Sequence, residues 1–284
     1  MMNNDVCAII VTYNAENSIK ETIYSIYKQV KEVIIIDNNS LDNTNSIIEL
    51  CNLQNIKLIK LNKNMGIARA LNIGIKYSMT KEYKYVITLD HDSILEEASL
   101  KILLESFKLN NIGIVGPDII NLYENKSKYN NLIFDNNKYY VKTSILQSGS
   151  VYSLDVFKKI GFFNEDLFVY CVDDEFCRRA LKEFNVIINK SAKLYHEEGE
   201  DGEKKILCKK LKYRKYSNTA LYYICRNCVY MGKVYDLKYF LRIILEVKNI
   251  ILYSKNRVEN LKFVLKGIYH GVKGKYGCIE KTKV

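Results

Sequence analysis

Two acidic groups in this chain have the residue types and spacing for chemistry. The first is Asp90-His91-Asp92, which closes the apolar run Tyr85-Val86-Ile87 through Thr88 and Leu89. That run reads as a buried strand. Two carboxylates one residue apart at a strand's C-terminal end can grip one hard divalent cation through oxygen ligands, and open α/β sheets bind ligands at that edge. Asp-x-Asp is also common in ordinary acidic turns, so the pair alone does not define a site. The second group is Val172-Asp173-Asp174-Glu175, ahead of Phe176-Cys177-Arg178-Arg179. Its spacing places Asp173 at the start of a helix, where one carboxylate would serve as an N-terminal cap. Capping does not need three. An acidic cluster that follows aromatic residues can instead supply a general base whose pKa is tuned by partial burial.

The elements that must position these groups alternate. Residues 6–11 (VCAIIV) read as a strand ending in Thr12-Tyr13-Asn14. A helix follows, with Ile19, Ile23, Ile26 and Tyr27 at helical spacing and Asn17 or Ser18 as its N-cap. Val33-Ile34-Ile35-Ile36 is a second strand, wholly β-branched as expected where both faces are covered, and it runs into Asp37-Asn38-Asn39-Ser40. A helix over 43–52, a strand from Ile56 to Leu61, the turn Asn64-Met65-Gly66 and a helix from Ile67 to Met79 precede the strand of the first acidic pair. This βαβα order argues for a mostly parallel sheet flanked by helices, with the three polar strand ends on one edge. No G-x-G-x-x-G and no G-x-x-x-x-G-K-[ST] is present, so a bound nucleotide must be held by side chains and a metal. Further on, 94–110 reads as a helix, Ile112 to Val115 as a short strand and 120–142 as irregular or a hairpin. The small polar run 147–153 reads as a strand that a ligand can approach closely, and Asp155 to Ile160 as a helix ended by Gly161.

Charge divides the chain. Residues 1–202 carry 23 Lys/Arg against 27 Asp/Glu, a net of −4, whereas 203–284 carry 20 against 5, a net of +15. The expected organisation is a catalytic domain over 1–202 and a basic, helical region over 203–284. In that region Lys238, Arg242 and Glu246 recur every four residues beside Phe240, Leu241, Ile244, Leu245 and Ile251. Residues 258–272 repeat the pattern with Lys262 and Lys266 against Leu261, Val264, Leu265 and Ile268. Such helices either pack on the domain or lie on an anionic membrane surface. Nucleic acid is not expected, since no recognised binding motif accompanies the charge. The eight cysteines lie mostly in apolar stretches, and Cys225-x-x-Cys228 has no second pair at zinc spacing. Reduced thiols and a cytoplasmic location are expected. The N-terminus lacks a signal pattern, and no apolar run is long enough to span a membrane.

The order VTYN, IDNNS, NMGIARALNIG, TLDHDS and GFFNEDLFVYCVDDEFCRRA resembles the inverting nucleotide-sugar glycosyltransferases of family two, with the GT-A fold, over about residues 6–200. The LDHDS variant, the VDDE cluster and LYYICRN (221–227) are similar to bacterial rhamnosyltransferases of surface-polysaccharide synthesis. The resemblance implies roles. Thr12, Tyr13 and Asn14 would line the nucleoside pocket, and Asp37 would take the base or ribose. Asn64, Gly66 and Arg69 would lie along the donor with His91, and Asp90 and Asp92 would form the metal motif at its diphosphate, holding Mg2+ or Mn2+. Asp173 would be the catalytic base, with Asp174 or Glu175 sharing that role because Val-Asp stands where many relatives have Glu-Asp. His196 would lie near the diphosphate, donating to a phosphate oxygen or ligating the metal, and Arg226 would belong to a downstream Arg-Asn pair near the donor. The activity implied is transfer of rhamnose from dTDP-rhamnose to a glycan or lipid-linked acceptor, from a cytoplasmic or peripheral membrane position. The alternatives are a UDP-hexose transferase (galactose or glucose type) of the same family, and a non-catalytic nucleotide-sugar or membrane-binding protein.

Overall fold

The β-branched runs of the N-terminal half form the buried middle of one sheet. A computed structural model describes residues 3–122, 125–129, 139–141, 144–196, 201–206 and 209–279. The chain divides into two compact units, Met1–Asn164 with Asp173–Glu197, and Glu165–Val172 with Glu198–Val284.

In the first unit the elements run β1 (Asn3–Thr12), α1 (Ile19–Ile26), β2 (Val30–Asp37), α2 (Thr44–Leu50), β3 (Ile56–Lys60), α3 (Ile67–Thr80) and β4 (Tyr85–Asp90). They continue with β5 (Ser93–Leu95), α4 (Ser99–Glu105), β6 (Ile112–Asn121), β7 (Tyr139–Val141), β8 (Val151–Ser153), α5 (Leu154–Ile160), α6 (Val172–Ala180) and β9 (Asn185–His196). The sheet order is β3-β2-β1-β4-β8-β6-β9-β5, with β7 also paired to β9. The first four strands are mutually parallel, as are β6 and β9, while β8 runs antiparallel between β4 and β6. Val33 to Ile36 and Val6 to Ile10 are fully buried, the state expected of strands covered by helices on both faces.

Three expectations change. The helix expected over 94–110 begins with the strand β5, and α4 ends at Glu105 before a 3-10 turn. Leu95 pairs with Leu194 in that strand, so a long-range ladder overrides the local helical pattern. The strand expected over 147–153 is confined to β8, because 147–150 turn back on Thr88: Gly149 N donates to Thr88 O at 2.7 Å and Thr88 Oγ1 to Gln147 O at 2.6 Å. The expected short strand at 112–115 extends to Asn121 through pairing with β9. Of the stretch 120–142, residues 123–124, 130–138 and 142 lie outside the described residues.

The second unit opens with an antiparallel hairpin, β10 (Asp201–Ile206) and β11 (Lys209–Arg214), so the region expected to be helical from residue 203 becomes so at α7 (Asn218–Val234). α8 (Tyr239–Tyr253) and α9 (Arg257–Lys273) follow. Ser217 caps α7, its side chain accepting from Ala220 N. Leu221, Ile224, Cys225, Cys228 and Val229 of α7 pack with Ile243 and Ile250 of α8 and Val264 of α9. α9 lies close against α7 because Gly267 and Gly271 face it: a Cβ at Gly271 would sit 2.7 Å from Arg226 O. The cysteines among the described residues are free thiols, and Cys225 and Cys228 are core side chains. No helix among the described residues is long and apolar enough to cross a membrane.

Candidate functional site

Strand register brings the polar strand ends together. Thr12 of β1 pairs with Asp37 of β2, and Val11 with Asp90 of β4, so the ends of three parallel strands share one edge. Asp37 is buried, and its carboxylate accepts from Ser40 N at 3.1 Å, Ser40 Oγ at 2.5 Å and Asn45 Nδ2 at 3.0 Å. It thereby fixes the 38–40 turn. Asn14, at φ +52°, accepts from Leu41 N through Oδ1 and donates from its own N to Ser40 Oγ. Thr12 Oγ1 is buried without a hydrogen-bond partner among the described residues, while Tyr13 stands 42% exposed. Asn38 carries the network to the next turn, with Nδ2 donating to Asn64 Oδ1 at 3.1 Å and Oδ1 accepting from Met65 N at 2.8 Å. Gly66 adopts φ +82° and ψ 164° at the start of α3, a conformation open to glycine and costly for other residues. Arg69 is exposed on the first turn of that helix.

The first acidic pair acquires a third member. β5 runs antiparallel to β9 with Ser93 opposite His196, and this register delivers the imidazole to the aspartates. Ligand atoms of Asp90, Asp92 and His196 all lie within 4.8 Å of one another. His196 Nδ1 is 3.3 Å from Asp92 Oδ1 and 2.9 Å from Ser93 Oγ. Asp90 accepts from Gln147 Nε2 at 2.5 Å, its N donates to Ser148 Oγ at 2.9 Å, and Ser148 Oγ is 2.7 Å from Ser93 Oγ. Gln147 and Ser148 are thus part of the site, although only their small polar run was visible in the sequence. His91 points elsewhere, its Nδ1 3.1 Å from Ser18 Oγ and its carbonyl accepting from Thr22.

Two carboxylates and an imidazole are a suitable donor set for a divalent cation. Among the described residues Asp92 Oδ1 is buried without a well-formed hydrogen bond, which fits a metal-ligand atom. Burial raises the Asp90 carboxyl pKa, and Asp92 adds to the rise, outweighing the pull of His196 and His91. Burial also acts upward on Asp92, but His196 and then His91 overcome it and hold the carboxyl below its usual range. Burial would lower His196; the two aspartates raise it instead.

The second acidic group separates into three environments. Glu175 is almost fully buried in a two-point pair with Arg179, 2.8 Å from Nε and 2.9 Å from Nη2, and Arg179 also donates to Ile160 O and Phe162 O. Asp174 meets Arg178 Nε at 3.3 Å. Asp173 makes no ion pair among the described residues; its Oδ1 accepts from Asp174 N at 2.9 Å. Close by on α6, Phe176 joins Phe157, Phe163 and Tyr152, with ring centroids 4.3 to 5.8 Å apart. Burial raises the Asp173 carboxyl to about 6, with the charges of Asp174 and Asp90 adding to the shift against the Asp174 N–H.

Arg226 has a different setting within the second unit. It is fully buried, with Nε donating to Asn227 Oδ1, Nη2 to Asp166 O and Leu167 O, and Nη1 to Gly277 O. Asn227 Nδ2 reaches the carbonyls of Leu167, Val169 and Tyr170. The pair holds a turn in which Phe168, Tyr170 and Cys171 all have positive φ.

One edge of the sheet thus brings together two aspartates and a histidine, with a carboxylate of raised pKa in the field of Asp90. Two crystal structures of Staphylococcus aureus TarS 1–349 have this fold. The first gives a TM-score of 0.56 at 17% identity, covering 94% of this chain and 80% of that one. The second, with UDP-GlcNAc, gives 0.55 at 17%, covering 95% and 72%. The family model "Glycosyl transferase family 2" matches residues 7–167, and the chain belongs to that family. The dTDP-rhamnosyl transferase RfbF of Shigella flexneri is 27% identical, over 96% of this chain and 97% of its own length. A low-salt glycan biosynthesis hexosyltransferase of Haloferax volcanii is 28% identical, over 64% and 63%.

Proposed function

We propose that this glycosyltransferase is an inverting enzyme that moves rhamnose from dTDP-rhamnose to a glycan or lipid-linked acceptor with the aid of Mg2+ or Mn2+. The observation that carries the reading is Asp173, a carboxylate without a cationic partner, lifted to about 6 and within the electrostatic reach of Asp90. Similarity to the Shigella dTDP-rhamnosyl transferase over nearly the whole of both chains supports the donor.

Thr12, Tyr13, Asn14 and Asp37 surround the nucleoside in this reading, and Asn64, Gly66 and Arg69 follow the donor along α3. Asp90, Asp92 and His196 would hold the cation, which neutralises the negative charge growing on the nucleoside diphosphate as it leaves. Asp173 takes the proton of the acceptor hydroxyl on Oδ2, since Oδ1 already receives the Asp174 N–H. The oxygen so activated attacks the anomeric carbon opposite the diphosphate, and the configuration inverts. A base positioned in this way contributes ~10²–10⁴-fold.

The test is transfer or donor hydrolysis by the purified chain with dTDP-rhamnose, with and without EDTA. Loss of activity in EDTA and in Asp92→Asn and Asp173→Asn supports the proposal; full activity in those variants overturns it. A UDP-hexose donor is the second reading, favoured by the UDP-GlcNAc bound to TarS. Any turnover excludes a purely binding role.

A further inference from the structure

α8 and α9 each bury one side and leave the other apolar. On α8, Ile243 and Ile250 enter the core, while Leu241, Ile244, Leu245, Ile251 and Leu252 are 41–62% exposed. These recur at three- and four-residue steps with Lys248 in the same row, so they form one stripe along the helix. On α9, Val264, Gly267 and Gly271 face inward, while Val258, Leu265, Tyr269 and Val272 are 53–71% exposed. Their spacing of seven, four and three makes a second stripe. Isolated exposed apolar residues need no explanation, but two rows on successive helices do.

Charge indicates what covers them. Residues 237–279 contain nine Lys/Arg and two acids. Of those acids, Glu246 is buried beside Arg242 and Glu259 accepts from Asn218 Nδ2. Lys248, Lys255, Arg257, Lys262 and Lys273 are exposed and form no ion pair among the described residues. A second copy of the chain would bring one basic surface against another, and polynucleotide would leave the apolar rows in water. An anionic bilayer satisfies both: its headgroups match the lysines and its acyl boundary the stripes.

We propose that the outward faces of α8 and α9 dock the protein on an anionic lipid bilayer, with both helices lying in the interfacial plane. This goes beyond the transferase reading and does not rest on it. Each basic side chain near an anionic leaflet raises the partition coefficient roughly fivefold, so binding is steeply dependent on lipid charge and on salt.

The experiment is co-sedimentation of the full chain with phosphatidylglycerol/phosphatidylcholine vesicles and with phosphatidylcholine alone. The parent is expected to bind the anionic vesicles at least tenfold more tightly. L241Q/L245Q/L265Q is expected to lose at least tenfold while its thermal unfolding is unchanged, since all three side chains are already exposed. K248Q/K262Q is expected to weaken binding and flatten its salt dependence. Asp173→Asn should bind like the parent, which separates this proposal from the reading of the active site. Equal partition of parent and triple-glutamine variant, equal binding to neutral and anionic vesicles, or a solution dimer dissolved by the triple substitution would each overturn it.

Discussion

Asp173 differs from its two acidic neighbours in what surrounds its carboxylate. Asp174 and Glu175 each meet an arginine one helical turn on, whereas Asp173 is buried in the field of Asp174 and Asp90 with no ion pair among the described residues. Glu175→Gln is therefore expected to cost stability and leave the chemistry in place, with denaturant midpoint and kcat as the two readouts. Asp173→Asn should lower kcat by ~10²–10⁴-fold. Its folded-state pKa of about 6 lies above that of the unfolded chain, so the folded state holds the proton more tightly. Stability from this residue is present at low pH and is lost as pH rises through about 6. Asp173→Asn removes that penalty and should stabilise the protein at pH 8 by up to about 3 kcal/mol. The pH–rate profile has the opposite slope, since the base must be ionised: kcat should fall about tenfold per unit below about 6. A flat profile between pH 5 and 8 would remove Asp173 from the role. At the neighbouring cluster the proton on His196, favoured by the two aspartates, competes with a cation. Mn2+ titration calorimetry should give weaker binding at pH 6 than at pH 8.

Secondary elements were readable in proportion to how local their causes are. Continuous β-branched runs announced β1, β2 and β4, and the polar residues ending them marked the edge that the register assembles. β9 was not readable: Asn185–His196 mixes lysine, serine and asparagine, and its pairing with β5, β6 and β7 comes from residues 46 to 103 positions away. With β9 unread, His196 could be placed near the diphosphate only by family resemblance, and most of its partner strand β5 fell in the helix expected over 94–110. Gln147 and Ser148 escaped for the same reason, since a turn anchored on Thr88 directs them toward Asp90. The Arg226-Asn227 pair is a similar case. Only family resemblance singled the pair out, and nothing in the sequence signalled that both side chains donate to the carbonyls of a turn with several positive φ angles. Asn227→Ala removes the side-chain donor to the partly buried carbonyls of Val169 and Tyr170 and one of the donors to Leu167 O, and should cost on the order of 2 kcal/mol. Urea denaturation measures it, and a loss below about 0.5 kcal/mol would show that the turn does not depend on this side chain.

At the scale of the whole molecule, donor, cation and fold are linked by mass action. A ligand that binds only the native state stabilises it by about 2.7 kcal/mol at a hundred times its Kd, which for a chain of this size is roughly 5–10 °C in Tm. dTDP-rhamnose with Mn2+ should give such a shift, and each should give less alone, because the diphosphate and the Asp90–Asp92–His196 cluster would share the cation. Asp92→Asn should abolish the cooperative part of the shift. Asp173→Asn should preserve it if, as proposed, its carboxylate acts on the acceptor and not on the donor. Run across a panel of dTDP- and UDP-sugars, the same measurement decides the donor without requiring the acceptor. A larger Mn2+-dependent shift with UDP-GlcNAc than with dTDP-rhamnose would reject rhamnose and retain the transferase. An equal shift with and without the metal, in parent and Asp92→Asn alike, would reject the cation site itself.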